Sequence, residues 1–238
     1  MSAYAFTGLI FMLAAGAQGY TGFGSALLAI PLLTIYLPMK TVVPLVVLSG
    51  LVIAAGLSLR LWSKLAIRKL APLLVGALPG IGLGAWLLGT LPAAVLRAAV
   101  GIALLAYAAF GLFARVRPRR LHAAWAPLAG FGSGLLSTAL GAGGPPVIVY
   151  TSLTRWEPDQ IKATLSLFFL STSVLTVAVH GISGLTDMQV FRHFAAALPG
   201  LILGLYFGIR FSARASPALY RRVVLAMLGL LGMGMLVF

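Results

Sequence analysis

The chain of 238 residues contains no cysteine and only three carboxylates, Glu157, Asp159 and Asp187. The first absence excludes disulfide scaffolds, thiol catalysis and cysteine-ligated metal sites. The second leaves no acid inside the apolar stretches to carry a proton or ligate a cation, which disfavours carboxylate-based proton antiport, paired-carboxylate hydrolysis and aspartyl intramembrane proteolysis. Charge of either sign is scarce: 8% of residues are charged, 61% are hydrophobic, and the mean hydropathy is +1.07. Soluble domains are about 25% charged and about 45–50% apolar. The natural solvent for this sequence is lipid, and the chain reads as an integral membrane protein.

The charge that is present is almost all positive, 17 Lys and Arg giving a formal net charge of +14. In a soluble protein that balance would point to nucleic acid. Here the basic residues sit in short breaks between apolar runs, where they meet anionic lipid, and no break is long enough to form a nucleic-acid-binding domain. No Lys or Arg precedes the first apolar stretch, which continues well past the small-residue triplet Ala15-Gly16-Ala17. A cleavable signal peptide is therefore not expected.

Eight apolar segments can be drawn, at 4–37, 41–59, 71–89, 93–113, 123–153, 161–182, 193–211 and 218–238. Six have the roughly 20-residue length that spans a bilayer core. The first and fifth exceed thirty residues, and each carries a glycine cluster: Gly19-Tyr20-Thr21-Gly22-Phe23-Gly24-Ser25 in one and Gly141-Ala142-Gly143-Gly144-Pro145-Pro146 in the other. Glycine and proline at that density make poor helix interior, so each long segment is predicted to be two half-helices around an irregular turn. The halves also repeat. Ala77-Leu78-Pro79-Gly80 recurs as Ala197-Leu198-Pro199-Gly200, and at nearly the same offset Gly22 and Gly24 fall on Gly141 and Gly143.

Charge placement sets how the two units lie. Twelve of the 17 basic residues occupy three breaks: Arg60, Lys64, Arg68 and Lys69; Arg115, Arg117, Arg119 and Arg120; and Arg210, Arg214, Arg221 and Arg222. If every segment crossed once, the positive-inside rule would have nothing to act on. If the fifth segment enters and leaves on one side, all three clusters face the cytoplasm with Arg155 and Lys162, and only Lys40, Arg97 and Arg192 lie outside. The predicted fold is therefore an all-α polytopic membrane protein of two inverted four-segment repeats. Residues 1–113 form the first repeat, 114–122 a basic cytoplasmic linker and 123–238 the second, and the first segment of each is a re-entrant hairpin. By symmetry both termini are outside.

What the interior offers is hydrogen-bond donors. A helix is expected to begin after each glycine cluster, with Ser25 as N-cap of one and Pro145 or Pro146 in the first turn of the other. Two helix N-termini converging in low dielectric, with no competing carboxylate, make an anion site. The predicted binding set is Gln18, Thr21, Gly22, Gly24 and Ser25 from one side and Ser137, Thr138, Gly141, Gly143 and Gly144 from the other. The alternative for these glycines is close helix packing. Arg60 and His180, 120 residues apart and so at equivalent repeat positions, are further candidates; the alternatives are that Arg60 snorkels to the interface and that His180 is a satisfied interfacial residue. Ser49, Ser166, Ser171, Thr172, Ser173 and Thr176 lie on nearby segments, where hydroxyls commonly bond their own helix. An intramembrane serine protease built on Ser133 and His180 would need glycine at 131, which is Phe131.

With its duplicated unit, the Gly22-Phe23-Gly24-Ser25 turn running into Leu27-Leu28-Ala29-Ile30-Pro31-Leu32-Leu33, the cluster Gly141-Ala142-Gly143-Gly144, and the blocks 74–84 and 195–204, the chain resembles the TauE/SafE family of membrane permeases. It departs from the family's usual Gly-Ile-Gly-Gly-Gly by placing Pro145 after Gly144. The resemblance implies a bacterial cytoplasmic-membrane permease, not an enzyme, exporting sulfite or an organosulfonate such as sulfoacetate. The residues alone reach a small anionic substrate, an anionic-lipid bilayer as the surroundings, and no cofactor, metal or nucleic acid. Proton or sodium coupling and a homodimer stay open, as does a non-transporting scaffold or assembly partner of a sulfur-metabolism or respiratory complex. A permease for a neutral or cationic solute would call for an intramembrane acid or an aromatic cage, and Phe168-Phe169 alone is weak support for a cage.

Overall fold

A computed structural model describes residues 3–21, 24–61, 67–113, 121–122, 124–211 and 217–237. Among them are ten α-helices and no strand: α1 (Ala3–Thr21), α2 (Ser25–Leu33), α3 (Met39–Leu61), α4 (Ile67–Thr90), α5 (Ala93–Phe113), α6 (Trp125–Leu140), α7 (Gly144–Leu153), α8 (Pro158–Ile182), α9 (Met188–Phe211) and α10 (Pro217–Val237). Five of these, α3, α4, α5, α8 and α9, are long and apolar enough among the described residues to cross a membrane. Both long segments break at their glycine clusters, into α1–α2 and α6–α7.

Each broken segment folds back on itself. In the first, Ser25 lies against Gln18 and, further along both arms, the Tyr36 hydroxyl is 3.0 Å from Thr7 Oγ1. In the second, the Ser133 hydroxyl donates to the Gly143 carbonyl. One turn later Pro146 stands against Gly132, at the distance of ordinary contact with a Cβ placed there. The reversals need glycine: Gly24 has φ +103° and Gly141 φ +70°, a left-handed region that side chains disfavour. Gly141 also closes α6, its N–H donating to the Ser137 carbonyl at 2.9 Å.

The three acids all stand at helix starts. Asp187 caps α9, its carboxylate accepting the Val190 N–H at 2.9 Å, while Glu157 precedes α8 and Asp159 lies in its first turn. Negative charge is favoured at these ends, which accounts for the acids outside the apolar interior.

Between lipid-embedded helices there is little hydrophobic drive to associate, so packing must come from close backbone approach. Glycines at every fourth position of α4, Gly76, Gly80 and Gly84, face the α6 backbone at Pro127, Phe131 and Leu135. On α9, Gly200, Gly204 and Gly208 face α1 at Gly8, Met12 and Gly16 in the same way. Both pairs run parallel, since residue numbers rise together on the two partners. The block that recurs as Ala77–Gly80 and Ala197–Gly200 is thus a helix-packing motif in both places. The most extensive of the other contacts join α5 to α10 and α3 to α8. α3 is the innermost span, two-thirds buried over its most apolar window against 17% for α9.

A Cβ at Gly84 would come within 2.6 Å of the Leu135 carbonyl oxygen, and one at Gly80 would press on the Phe131 carbonyl still more closely. Backbone cannot move aside as a side chain can. Gly80→Leu is expected to prevent α4 and α6 from pairing, leaving little monodisperse protein by size-exclusion chromatography in mild detergent.

Candidate anion site

The two glycine turns meet. A partly open cavity of about 60 Å³ lies between them and the middles of α3 and α8. From the first turn it is lined by Gln18, Gly24, Ser25, Ala26 and Leu27, and from the second by Ser137 and Gly141 to Gly144. Val46, Val47 and Gly50 of α3 and Phe169, Thr172 and Ser173 of α8 complete it. No lining residue among the described residues is charged.

At the first turn the sequence expectation needs one correction. Ser25 is not the N-cap of α2: Gly24 holds that place in its left-handed conformation, and Ser25 is the first helical residue. The reversal requires φ positive at the cap, which glycine supplies and serine does not. Ser25 instead turns to Gln18, whose Oε1 accepts both its hydroxyl and, at 3.3 Å, its backbone N–H. A backbone N–H can only donate, so the Gln18 oxygen must face Ser25. The amide nitrogen, with two hydrogens and no partner among the described residues, is left for the cavity. At the second turn Gly143 is the cap residue and proline occupies the first turn of α7, as expected. Pro145 and Pro146 carry no N–H, so α7 presents fewer free backbone donors than α2. The Ser137 and Ser173 hydroxyls have no hydrogen-bond partner among the described residues and border the same space.

Of the twelve residues singled out from sequence, Gln18, Gly24, Ser25, Ser137, Gly141, Gly143 and Gly144 line the cavity. Thr138 and His180 do not. Thr138 is fully buried behind the second turn, its hydroxyl 3.1 Å from that of Thr176 and its carbonyl 3.0 Å from His180 Nε2. A carbonyl accepts, so the neutral His180 ring carries its proton on Nε2 and closes the C-terminal turn of α6, while Nδ1 is buried with no partner among the described residues. His180 therefore shapes the hairpin from behind. The side chains of Thr21 and Arg60, and Gly22 altogether, lie outside the described residues. Ser133 is committed to the Gly143 carbonyl and serves the hairpin.

Val46, Val47, Gly50 and Phe169 were not singled out as site residues. They are ordinary apolar or small residues of long helices, and only the crossing of α3 with α8 brings them to the turns. Thr172 and Ser173 fall among the hydroxyls noted on that segment; Thr172 bonds the Phe168 carbonyl of its own helix at 2.8 Å.

The family profile described as "Sulfite exporter TauE/SafE" matches residues 7–235. The chain belongs to the TauE/SafE family. Among curated proteins, one described as "Probable sulfite/organosulfonate exporter TauE" from Cupriavidus necator is 30% identical over 240 residues, covering 93% of this chain and 90% of the relative. No solved structure matches. As a TauE/SafE member with several membrane-length apolar helices, the protein is a multi-pass permease of the cytoplasmic membrane, in a family of transporters rather than enzymes. In this TauE/SafE chain residues of both glycine clusters, Gly24 from the first and Gly141, Gly143 and Gly144 from the second, line one cavity.

Proposed function

We propose that this protein exports a small sulfur oxyanion, sulfite or an organosulfonate such as sulfoacetate, by alternating access between inverted repeats spanning 1–113 and 123–238 about the basic linker 114–122. The observation that carries the reading is the cavity where the two turns meet, with the Gln18 amide nitrogen, the Ser137 and Ser173 hydroxyls and the start of α2 around it and no charge in its lining among the described residues. An oxyanion needs several donors and no competing carboxylate, and helix N-termini supply part of that in low dielectric. The repeat division is supported by the pairing of helices: exchanging the halves turns α1 with α9 into α6 with α4, and returns α3 with α8 and α5 with α10 to themselves. Substrate sites between repeats, at helices broken in the membrane, are the usual plan of secondary transporters.

The small volume, about 60 Å³, suits an oxyanion head, and a carbon tail would have to pass out through the cavity's open side. Sulfite is therefore expected to move faster than sulfoacetate or taurine from preloaded proteoliposomes, with efflux saturable and compared under proton and sodium gradients. No flux of any anion by folded protein under either gradient would overturn the permease reading for this chain and favour a scaffold.

A further inference from the structure

A second and much larger cavity, about 780 Å³, opens on the flank of α7 away from the anion site, between α5, α6 and α7. It exists because α5 stands off from α7, whereas α10 packs directly on α2. Its wall is apolar, with Ala103, Ala106 and Phe110 from α5 facing Pro145 and Val149 of α7. At one end, where α6 begins and α7 ends, the rim changes character to His122, Trp125 and Tyr150. Trp and Tyr at the end of an apolar groove are the pattern of a membrane–water interface. The depth agrees. From Trp125 to Leu136 along α6 is roughly 16 Å at the rise of a helix, close to the ~15 Å hydrocarbon depth of a single leaflet.

We propose that this groove binds one anionic phospholipid, with an acyl chain along α7 and the headgroup at the rim. The choice of an anionic headgroup rests on charge. Lys69 Nζ lies 4.7 Å over the Trp156 ring, and Trp156 meets Tyr150 edge-on at 5.9 Å, so an ammonium stands one aromatic ring from the rim. That ammonium donates to Gln160 at 2.7 Å and forms no ion pair among the described residues. In sequence, Arg115, Arg117, Arg119 and Arg120 immediately precede Leu121, itself a groove residue. A zwitterionic headgroup would bring its own cation into this field, while an anionic one leaves it neutralised. The lipid would rest against Pro145 and Pro146, the first turn of α7, whose other side forms the anion site.

The test uses the full chain reconstituted in a mixture of phosphatidylcholine and phosphatidylglycerol, extracted in mild detergent, with retained lipid counted by native mass spectrometry. About one phosphatidylglycerol per chain is expected to survive, in preference to phosphatidylcholine. Ala106→Trp, which places an indole in the groove from an exposed position, should reduce that retention at least fivefold. Ile102→Trp, exposed on α5 outside the groove lining, should leave it unchanged, and both variants should elute like wild type. Equal retention of the two lipids, no retained lipid in wild type, or undiminished retention in Ala106→Trp would each overturn the proposal. The readout is bound lipid, so it stands or fails independently of anion flux.

Discussion

Replacing Gly50 by leucine is expected to abolish anion efflux while leaving the protein folded. Gly50 lies mid-way along α3 at the cavity wall, and a Cβ built there meets only the Ser173 hydroxyl, at 4.0 Å. A Cβ at Gly50 thus meets no backbone among the described residues, in contrast to Gly143, where a Cβ would stand 2.6 Å from both the Ser133 carbonyl oxygen and Ser137 Cβ. Leucine would occupy most of a cavity of about 60 Å³. Gly50→Ala provides the graded control. It exchanges the poorest ordinary helix former for the best, a gain of about 1 kcal/mol in a helix interior, so thermal stability should hold or rise while efflux falls. Greater stability with less transport is an outcome that a purely structural role for Gly50 does not produce. Undiminished efflux by folded Gly50→Leu would remove the cavity from the transport path.

The second large effect is expected at Gln18, and the informative change is to glutamate. A carboxylate can accept the Ser25 hydroxyl and N–H as the amide oxygen does, so the first turn keeps its shape. What is lost is the donor side: an NH₂ group is replaced by a second acceptor carrying negative charge. Hydrogen bonds to charged groups are worth roughly 1.5–3 kcal/mol, and each 1.4 kcal/mol is about tenfold in affinity. Gln18→Ala should therefore raise the half-saturating sulfite concentration roughly 10- to 100-fold, and Gln18→Glu should bring efflux to background because it adds repulsion to the loss. The measurement is concentration-dependent efflux from proteoliposomes, with circular dichroism as the check on folding. If Gln18→Ala and Gln18→Glu both transported as well as wild type, the amide nitrogen would have no role as an anion donor.

Much of this architecture was legible in the chain because lipid imposes simple rules. Every backbone group must be satisfied inside the bilayer, so apolar runs of about 20 residues become helices, and α5 at Ala93–Phe113 coincides with its predicted segment. Runs too long for one crossing and dense in glycine had to break, and they break at the clusters. The scarcity of acids left neutral donors as the expected site chemistry, and the described lining of the cavity holds Gln18, Ser25, Ser137 and Ser173.

Which small residues pack and which line the site was not legible, because glycine serves both ends with the same letter. Gly80 and Gly200 mark the repeat most clearly in sequence, yet they face helix backbones; Gly50, in no motif, faces the cavity. His180 had the placement of a ligand and is instead a brace on the Thr138 carbonyl. Ser25 had the residue type of an N-cap but sits one position inside the helix, because the reversal at Gly24 needs a backbone angle that only glycine adopts without strain. The sequence by itself therefore determined the solvent, the number and breaks of the apolar segments, and the chemistry that acids and thiols were absent to perform. The tertiary structure alone decided which residues meet, since that depends on how α3 and α8 cross between two hairpins, and contacts between distant segments leave no periodicity in the chain that forms them.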